Sequence, residues 1–538
     1  MDPVPSQPIQ VAKPKRRRVT LTNVAVLLIA TSFMGQLLGF LRTKLVNANF
    51  PVTGPHSTDA YFAAFNLPDF FFFTVAAGAL GVAFMPVLSD RLHKHDRRGV
   101  WELSASLLNL LALIMLVVGV IIFIFAKPLI QHIVAPHMAP EQIDEAASIM
   151  RWLAFNPFLF TVSGVLTSVQ QTLGRFFFYA IAPLFYNVCI IISIYLFRHN
   201  IGLEGLGIGA FVGAVMQLVV IIIGTAKLNF HWHPHIAWKS SDFRQILRQL
   251  PPRSLDQGMD QLQSIVETRF ASRIGSGAVT YYNNAYILST APILLIGTAI
   301  ATAAFPRLNA RLSQGRPDLF RRDFLMILRA MIWITMPVLV IAYFCRGYLA
   351  RLIYAQGNDE IAVVFGYLTV AILFRIIYAL VSRWFYSQKD TKTPLVVSVF
   401  TISLNVVLAY TLAKPSAYGV AGLALAQSIV AVTEVGILFA IMLARDPKLL
   451  DLKFLGGCVR IVSVTGFTVI AGLIMLSIYP LSLGDRGFFT LGAKLFIISA
   501  VIFATHVSVS SLFGLEEAQP VVRRIKNIIL KPIKIDIT

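Results

Sequence analysis

Apolar residues along this chain come in runs of about 20 or more, longer than the helices of a water-soluble core and matched to the hydrocarbon thickness of a bilayer. Polar breaks between the runs predict fourteen transmembrane helices, at 21–47, 57–88, 103–126, 147–173, 176–197, 203–226, 254–276, 278–305, 322–345, 360–386, 393–412, 418–443, 456–479 and 487–513. The seventh carries Asp256, Asp260, Glu267, Arg269 and Arg273 and fails a simple hydropathy criterion. Loop charge decides in its favour. Without that crossing, the cluster Arg307, Arg311, Arg316, Arg321 and Arg322 falls outside and the positive-inside pattern inverts from there onward. With it, the basic loops fall on one side, Arg346 and Arg351 being the main exceptions, as do the basic tails 1–20 and 516–538, which places both termini in the cytoplasm.

Composition agrees: 57% of residues are hydrophobic, 13% are charged and the mean hydropathy is +0.72, against about half apolar and a quarter charged in soluble domains. The net charge of +20 is spread over short loops and forms no domain-sized patch, which argues against nucleic acid as a partner. Membrane lipids are the expected surroundings. The apolar run after Lys15, Arg16, Arg17 and Arg18 is too long, and lacks the small-residue cleavage site, for a signal peptide, so it reads as a retained first helix. Cys189, Cys345 and Cys458 lie far apart, and His231, His233 and His235 alternate in one loop without a further ligand, so no disulfide framework or metal site is predicted. No nucleophile, base or phosphate-loop motif points to an enzyme.

The second predicted helix ends Ala83-Phe84-Met85-Pro86 and the eighth Ala304-Phe305-Pro306, each before a basic loop; 306 minus 86 gives a spacing of 220. Six helices separate the two, so the fold class expected is an all-α polytopic membrane protein of two six-helix lobes in parallel repeat plus two C-terminal helices. The division predicted is a basic tail 1–20, a first lobe 21–228, a linker 229–253, a second lobe 254–446, a helix pair 447–515 and a basic tail 516–538. Parallel repeats place a substrate site near the midplane, between halves that rock against each other.

Ionisable groups at membrane depth are costly unless they face a wet cavity or a partner. On the seventh helix Asp256, Asp260, Gln263 and Glu267 share a face, predicted to line a cavity, while Arg269 and Arg273 lie on another and would pair with acids or an anionic substrate. The plainer readings are that Asp256 caps the turn after Pro251 and Pro252 and that Arg273 snorkels to the surface. Arg42 and Asp59 form either a pair or one cavity wall; otherwise Arg42 snorkels and Asp59 caps a helix. Arg375 is a further candidate. Pro68, Pro157, Pro183, Pro292 and Pro337 are expected to mark bends.

The stretches Leu38-Gly39-Phe40-Leu41-Arg42, Thr58-Asp59-Ala60-Tyr61-Phe62-Ala63-Ala64-Phe65-Asn66-Leu67-Pro68, Ala83-Phe84-Met85-Pro86 and Phe385-Tyr386-Ser387-Gln388-Lys389-Asp390-Thr391-Lys392-Thr393-Pro394 resemble the lipid II flippase family (MurJ/MviN type) of the multidrug/oligosaccharidyl-lipid/polysaccharide exporter superfamily. The resemblance implies two lobes around a cationic cavity, a lipid-accessible groove at the last two helices, and transport of an undecaprenyl-pyrophosphate-linked disaccharide-pentapeptide to the outer leaflet of the bacterial cytoplasmic membrane. It also implies functional roles for Arg42 and Asp59. The match is incomplete. Gln36 stands where the family usually has a cavity arginine, Phe72 and Phe73 where some members have an arginine pair, Ala77 where a glutamate is frequent, and Asn284-Ala285 where an Asp-Arg pair occurs.

A pyrophosphate wants cationic donors, and the expectation is that Arg269 and Arg273 restore the charge lost at Gln36 and Asn284, with Asp260 alongside. No cofactor is expected beyond a coupling ion, Na+ or H+, held by Glu267 and Asp390 between the seventh and eleventh helices, with Asp256 a further candidate. The function expected is lipid II flipping by a monomer. The alternatives are a flippase for another polyprenyl-linked glycan, a cation-coupled exporter of small molecules, and a non-transporting scaffold for cell-wall enzymes.

Overall fold

The structure, a computed structural model, describes residues 21–77, 84–94, 96–226, 228, 232–482, 484–485 and 487–529. The described chain is helical from end to end. In order it forms α1 (Leu21–Asn49); α2, made of Asp59–Phe71, a π-helical stretch Phe72–Ala77 and Met85–His93; and α3 (Arg97–Leu129), which closes in a π turn, Ile130–Val134. Then come α4, broken into Pro140–Leu153 and Asn156–Thr172; α5 (Phe177–Phe197); α6 (Glu204–Ala226); α7 (Ser241–Ala271); and α8, made of Ala278–Pro292, a π stretch Ile293–Thr298 and Ala299–Ser313. The rest are α9 (Pro317–Phe344), a short helix Arg346–Ile353, α10 (Asn358–Ser387), α11 (Lys392–Leu412), α12 (Val420–Arg445), α13 (Leu452–Ile478), α14 (Phe488–Leu512) and a terminal helix Gln519–Ile529.

Eleven of the described helices are long and apolar enough to cross a membrane, from α3 to α14 with α7 left out. The other three predicted crossings, α1, α2 and α7, are helical wherever they are described. The bundle end carrying the connections 50–58, 272–277 and 413–419 is the one loop charge assigns to the outside, and is termed the outer end.

The seventh helix departs most from expectation. It starts at Ser241 and not near 254, because the Ser240 side chain accepts from the Phe243 N–H and opens the helix early. The chain then runs through Pro251 and Pro252 without stopping, so Asp256 lies well inside the helix, not in its first turn, and the predicted linker shrinks accordingly. The side chains of Asp256, Asp260 and Ala77, together with His231 and both tail ends, lie outside the described residues.

Two of the five prolines mark breaks of one kind. Pro68 and Pro292 each precede a π-helical stretch, since a proline ring removes an i→i−4 hydrogen bond and crowds the carbonyl four residues back. The stretches begin at Phe72 and Ile293, and 293 minus 72 is 221, within one residue of the repeat read from the sequence. Pro157 follows the break in α4 at Ala154 and Phe155, while Pro183 and Pro337 sit within continuous α5 and α9.

Close packing inside the membrane relies on small residues. Gly205, Gly209 and Gly213 line up on α6 against α5, where a Cβ at Gly213 would come 2.9 Å from the Tyr186 carbonyl oxygen. A backbone atom cannot swing aside. Gly213→Leu is therefore expected to destabilise the fold by about 1–3 kcal/mol, read as a lower thermal midpoint in detergent. Gly436→Leu, where nothing stands within 4 Å, should leave the midpoint unchanged. In the second half α10 is the central helix, burying Leu368, Ile372, Ile376, Leu380, Trp384 and Phe385. Its two arginines at membrane depth, Arg375 and Arg383, are half-buried.

Candidate functional site

Three features bear on function: a polar seam at the outer end, a network of buried charges, and a cavity. The seam joins the first six helices to the next. Asp59, 1% exposed, does not cap its own helix but reaches across to the start of α8, where Oδ2 accepts from the Gly277 N–H (2.6 Å) and Oδ1 from the Thr280 N–H (2.8 Å) and hydroxyl (2.7 Å). A carboxylate at a helix N-terminus satisfies orphan donors and meets the positive end of the dipole. Thr58 and Thr280 hydroxyls lie 2.9 Å apart. Farther in, Asn66 of α2 meets Thr268 and Ser264 of α7. Asn47 of α1 binds Ala355 and Gln356 before α10, and Gln142 of α4 bonds Ser276.

Arg269 belongs to the same seam. Its Nη1 donates to the His132 and Ile133 carbonyls, 2.6 and 2.9 Å away, at the C-terminal end of α3. The seam thus has a carboxylate on one helix N-terminus and a guanidinium on one helix C-terminus, both with the sign the dipole favours. This corrects the expectation that Arg269 and Arg273 restore cationic charge to a cavity. Arg269 is committed to backbone carbonyls, and Arg273 stacks on the Phe270 and Tyr410 rings, 5.8 and 5.2 Å from their centroids.

Arg42 and Asp59 are likewise not partners. Arg42 is half-buried and acts electrostatically on Asp69, Tyr61 and Tyr186 within the first half. Asp69 is not among the residues singled out above; a lone acid ten residues after Asp59 in an apolar run is the signal that marks it. Gln36 is exposed on α1. Phe72 packs on Phe73 and Phe160, filling with aromatic rings a place where a charge would need a wet surface. Asn284 is fully buried rather than cavity-facing, and its neighbour Asn283 lines a cavity instead.

The buried charges lie in the second half. Glu267, 6% exposed, accepts from Gln263 Nε2 (3.1 Å) and from Gln427 Nε2, and feels the Arg375 guanidinium. Arg375 Nη1 stands 3.7 Å from Glu434, a buried carboxylate that also accepts from the Ser398 hydroxyl at 2.8 Å. Two buried acids therefore flank one guanidinium. Asp390, the expected companion of Glu267, is elsewhere: it lies in the α10–α11 connection, accepts from the Thr393 N–H and hydroxyl, and pairs with Arg445 at 2.7 Å. Partial burial would raise its carboxyl, but the Thr393 and Arg445 contacts outweigh that and hold it down at about 2. It stays ionised at any physiological pH and cannot carry a proton.

A cavity of about 500 Å³ opens among α7, α8, α10, α11 and α12. Arg375, Arg383, Gln263, Gln427, Tyr386 and Glu434 give it a polar lining, and a smaller space of about 160 Å³ beside it reaches Glu267. Both lie within the second half rather than between halves. Among the described residues no group of histidine, cysteine and acidic side chains is arranged to hold a metal ion.

The chain is similar to proteins of known description. The chain is 23% identical over 431 residues to a probable lipid II flippase MurJ of Borreliella burgdorferi, covering 79% of this chain and 84% of the relative. A probable lipid II flippase MurJ of Bdellovibrio bacteriovorus is 22% identical over 521 residues, covering 94% and 97%. Among solved structures, a lipid II flippase MurJ in an inward closed conformation superposes with a TM-score of 0.73 at 21% identity, over 91% of this chain and 98% of that one. An inward-facing multidrug resistance MATE family transporter of the MOP superfamily gives 0.66 at 16% identity, over 79% and 98%. The family model described as lipid II flippase MurJ matches residues 55–492, most of the length, and the chain belongs to that family.

Proposed function

We propose that this protein is a lipid II flippase, a multi-pass protein of the bacterial cytoplasmic membrane with both termini in the cytoplasm. It moves the undecaprenyl-pyrophosphate-linked peptidoglycan precursor from the inner to the outer leaflet. Besides family membership, the observation that carries the reading is the seam: two halves related by a repeat of about 220 residues are fastened to each other by polar contacts clustered at the outer end. Alternating access needs such a closure, made when the substrate site faces inward and broken when it faces outward. The halves 21–228 and 254–446, the latter with the extra turns of α7, act as the two rocking bodies of a monomer.

Depleting a bacterium of its own lipid II flippase, expressing this chain and measuring lipid II at the outer leaflet tests the proposal. Rescue is the expected result. A well-expressed protein that fails to rescue would point to another polyprenyl-linked glycan, to a small-molecule exporter or to a non-transporting scaffold.

The ion that couples transport belongs to the buried network, with Glu434 in the place expected for Asp390. Glu267 and Glu434 around Arg375 carry one negative charge more than they neutralise, which in a low-dielectric interior invites a proton or a monovalent cation. Glu267→Gln removes that excess and is expected to slow flipping at least tenfold and to flatten its dependence on pH or sodium. Wild-type transport that ignores both ions would end the coupling idea.

A further inference from the structure

Of the cationic positions that the family resemblance implies, Arg42 is kept and acts on Asp69, Gln36 and Asn284 are uncharged, and the two arginines of α7 are occupied elsewhere. Arg383 of α10 fits the part of a cation that meets the substrate's pyrophosphate. It lines the 500 Å³ cavity, is half-buried, and among the described residues has as hydrogen-bond partners the Ala379 carbonyl (2.7 Å), one turn back on its own helix, and the Thr302 hydroxyl (3.2 Å). Among the described residues no carboxylate lies within ion-pair distance of it. Of the other described charges at the cavity, Arg375 stands between Glu434 and Glu267, and neither carboxylate forms an ion pair with Arg383. A guanidinium held in a recess without a counter-ion is unfavourable until an anion arrives, and its planar fork suits the paired oxygens of a phosphate.

Depth and neighbours narrow the anion. Arg383 is four residues from Ser387, the last of α10, which at 1.5 Å per residue is about 6 Å from the helix end. That is headgroup depth for a lipid in the inner leaflet. Thr298 and Tyr386 stand on the same cavity wall, while the Ser382 and Ser398 hydroxyls donate to the Ala379 carbonyl and to Glu434. Arg375 lies eight residues earlier, about 12 Å farther in. The space suits a diphosphate and its first attached groups and not a whole glycan-peptide, so the sugar end projects out of the recess.

We propose that Arg383 is the primary anchor for the pyrophosphate of a polyprenyl-linked substrate as it enters from the inner leaflet, in a headgroup site built within the second half. The proposal rests on the flippase reading above. The test uses the purified full-length protein in nanodiscs, measuring binding of undecaprenyl pyrophosphate, undecaprenyl monophosphate, inorganic pyrophosphate and phosphatidylglycerol. Arg383→Gln is expected to weaken undecaprenyl pyrophosphate about tenfold, Arg383→Lys to recover part of the loss, and Arg445→Gln, at the same end but engaged with Asp390, to change nothing. An unaltered thermal midpoint for Arg383→Gln separates lost binding from lost fold.

Equal binding by wild type and Arg383→Gln overturns the anchor and leaves the flippase reading standing. An equal Arg383-dependent loss for phosphatidylglycerol makes the recess a general phospholipid contact and overturns the substrate assignment. Capture of inorganic pyrophosphate as tightly as the lipid overturns the entry from the leaflet. Wild-type protein that binds no polyprenyl pyrophosphate fails both readings together.

Discussion

Joining positions 58 and 280 by a disulfide is expected to stop flipping completely, and reduction to restore it. The Thr58 and Thr280 hydroxyls are 2.9 Å apart across the seam, which brings their Cβ atoms near the 3.5–4.5 Å that a disulfide spans. With Cys189, Cys345 and Cys458 replaced by serine, Thr58→Cys with Thr280→Cys should cross-link on mild oxidation. A covalent bond holds the outer end shut whatever the substrate does, so outer-leaflet lipid II should fall to background. The single variants serve as controls for loss of the Thr280 hydroxyl. A fully cross-linked protein that still flips at the wild-type rate would show that the seam need not open, and alternating access as drawn here would fail.

The second large effect is expected from Asp59→Ala, in the opposite direction at the gate and the same direction for transport. The carboxylate supplies three hydrogen bonds to α8, and its loss strands buried N–H groups at an uncapped helix end. Truncating one side of such a buried charged contact costs about 2–5 kcal/mol, whereas inverting a two-state equilibrium from 99:1 to 1:99 needs about 5.5 kcal/mol. The outer-closed state should therefore lose most of its advantage. Spin labels placed across the seam would report a wider outer end, and rescue of flipping should drop at least tenfold. Asp59→Asn, which keeps an acceptor, should fall between, and Arg269→Gln, which releases only the end of α3, should do less, about 1 kcal/mol. A seam that stays closed in Asp59→Ala would reassign this residue to fold stability.

What could be read in the sequence follows the physics that each feature obeys. Lipid demands long apolar helices with satisfied backbones, so the long helical segments are legible from hydropathy and loop charge, whereas the short helices Arg346–Ile353 and Gln519–Ile529 are not, nor is the start of α7, where the Ser240 cap, fourteen residues before the expected start, outweighs a proline pair. The likeness of Phe84-Met85-Pro86 to Phe305-Pro306 gave the spacing that the two π stretches repeat. Side-chain partnerships were another matter. Asp59 was legible as a cap, but not that it caps a helix more than two hundred residues away, because periodicity describes one helix at a time. Glu267 is legible as an acid at membrane depth, yet its surroundings, Gln427, Arg375 and Glu434, come from helices whose rotation no hydropathy pattern records. Arg383 escaped notice for a plainer reason: near the inner end of a helix, a cation looks like one more positive-inside residue until a cavity is seen in front of it.

The closed seam also bears on pharmacology. Its central carboxylate is 1% exposed, and if the seam shuts the outer end as proposed, a drug dissolved in the external medium is expected to be kept from the recess beside Arg383. An inhibitor of this form must first dissolve in the bilayer or cross it, and its potency in living cells would then track membrane permeation more closely than affinity for the purified protein.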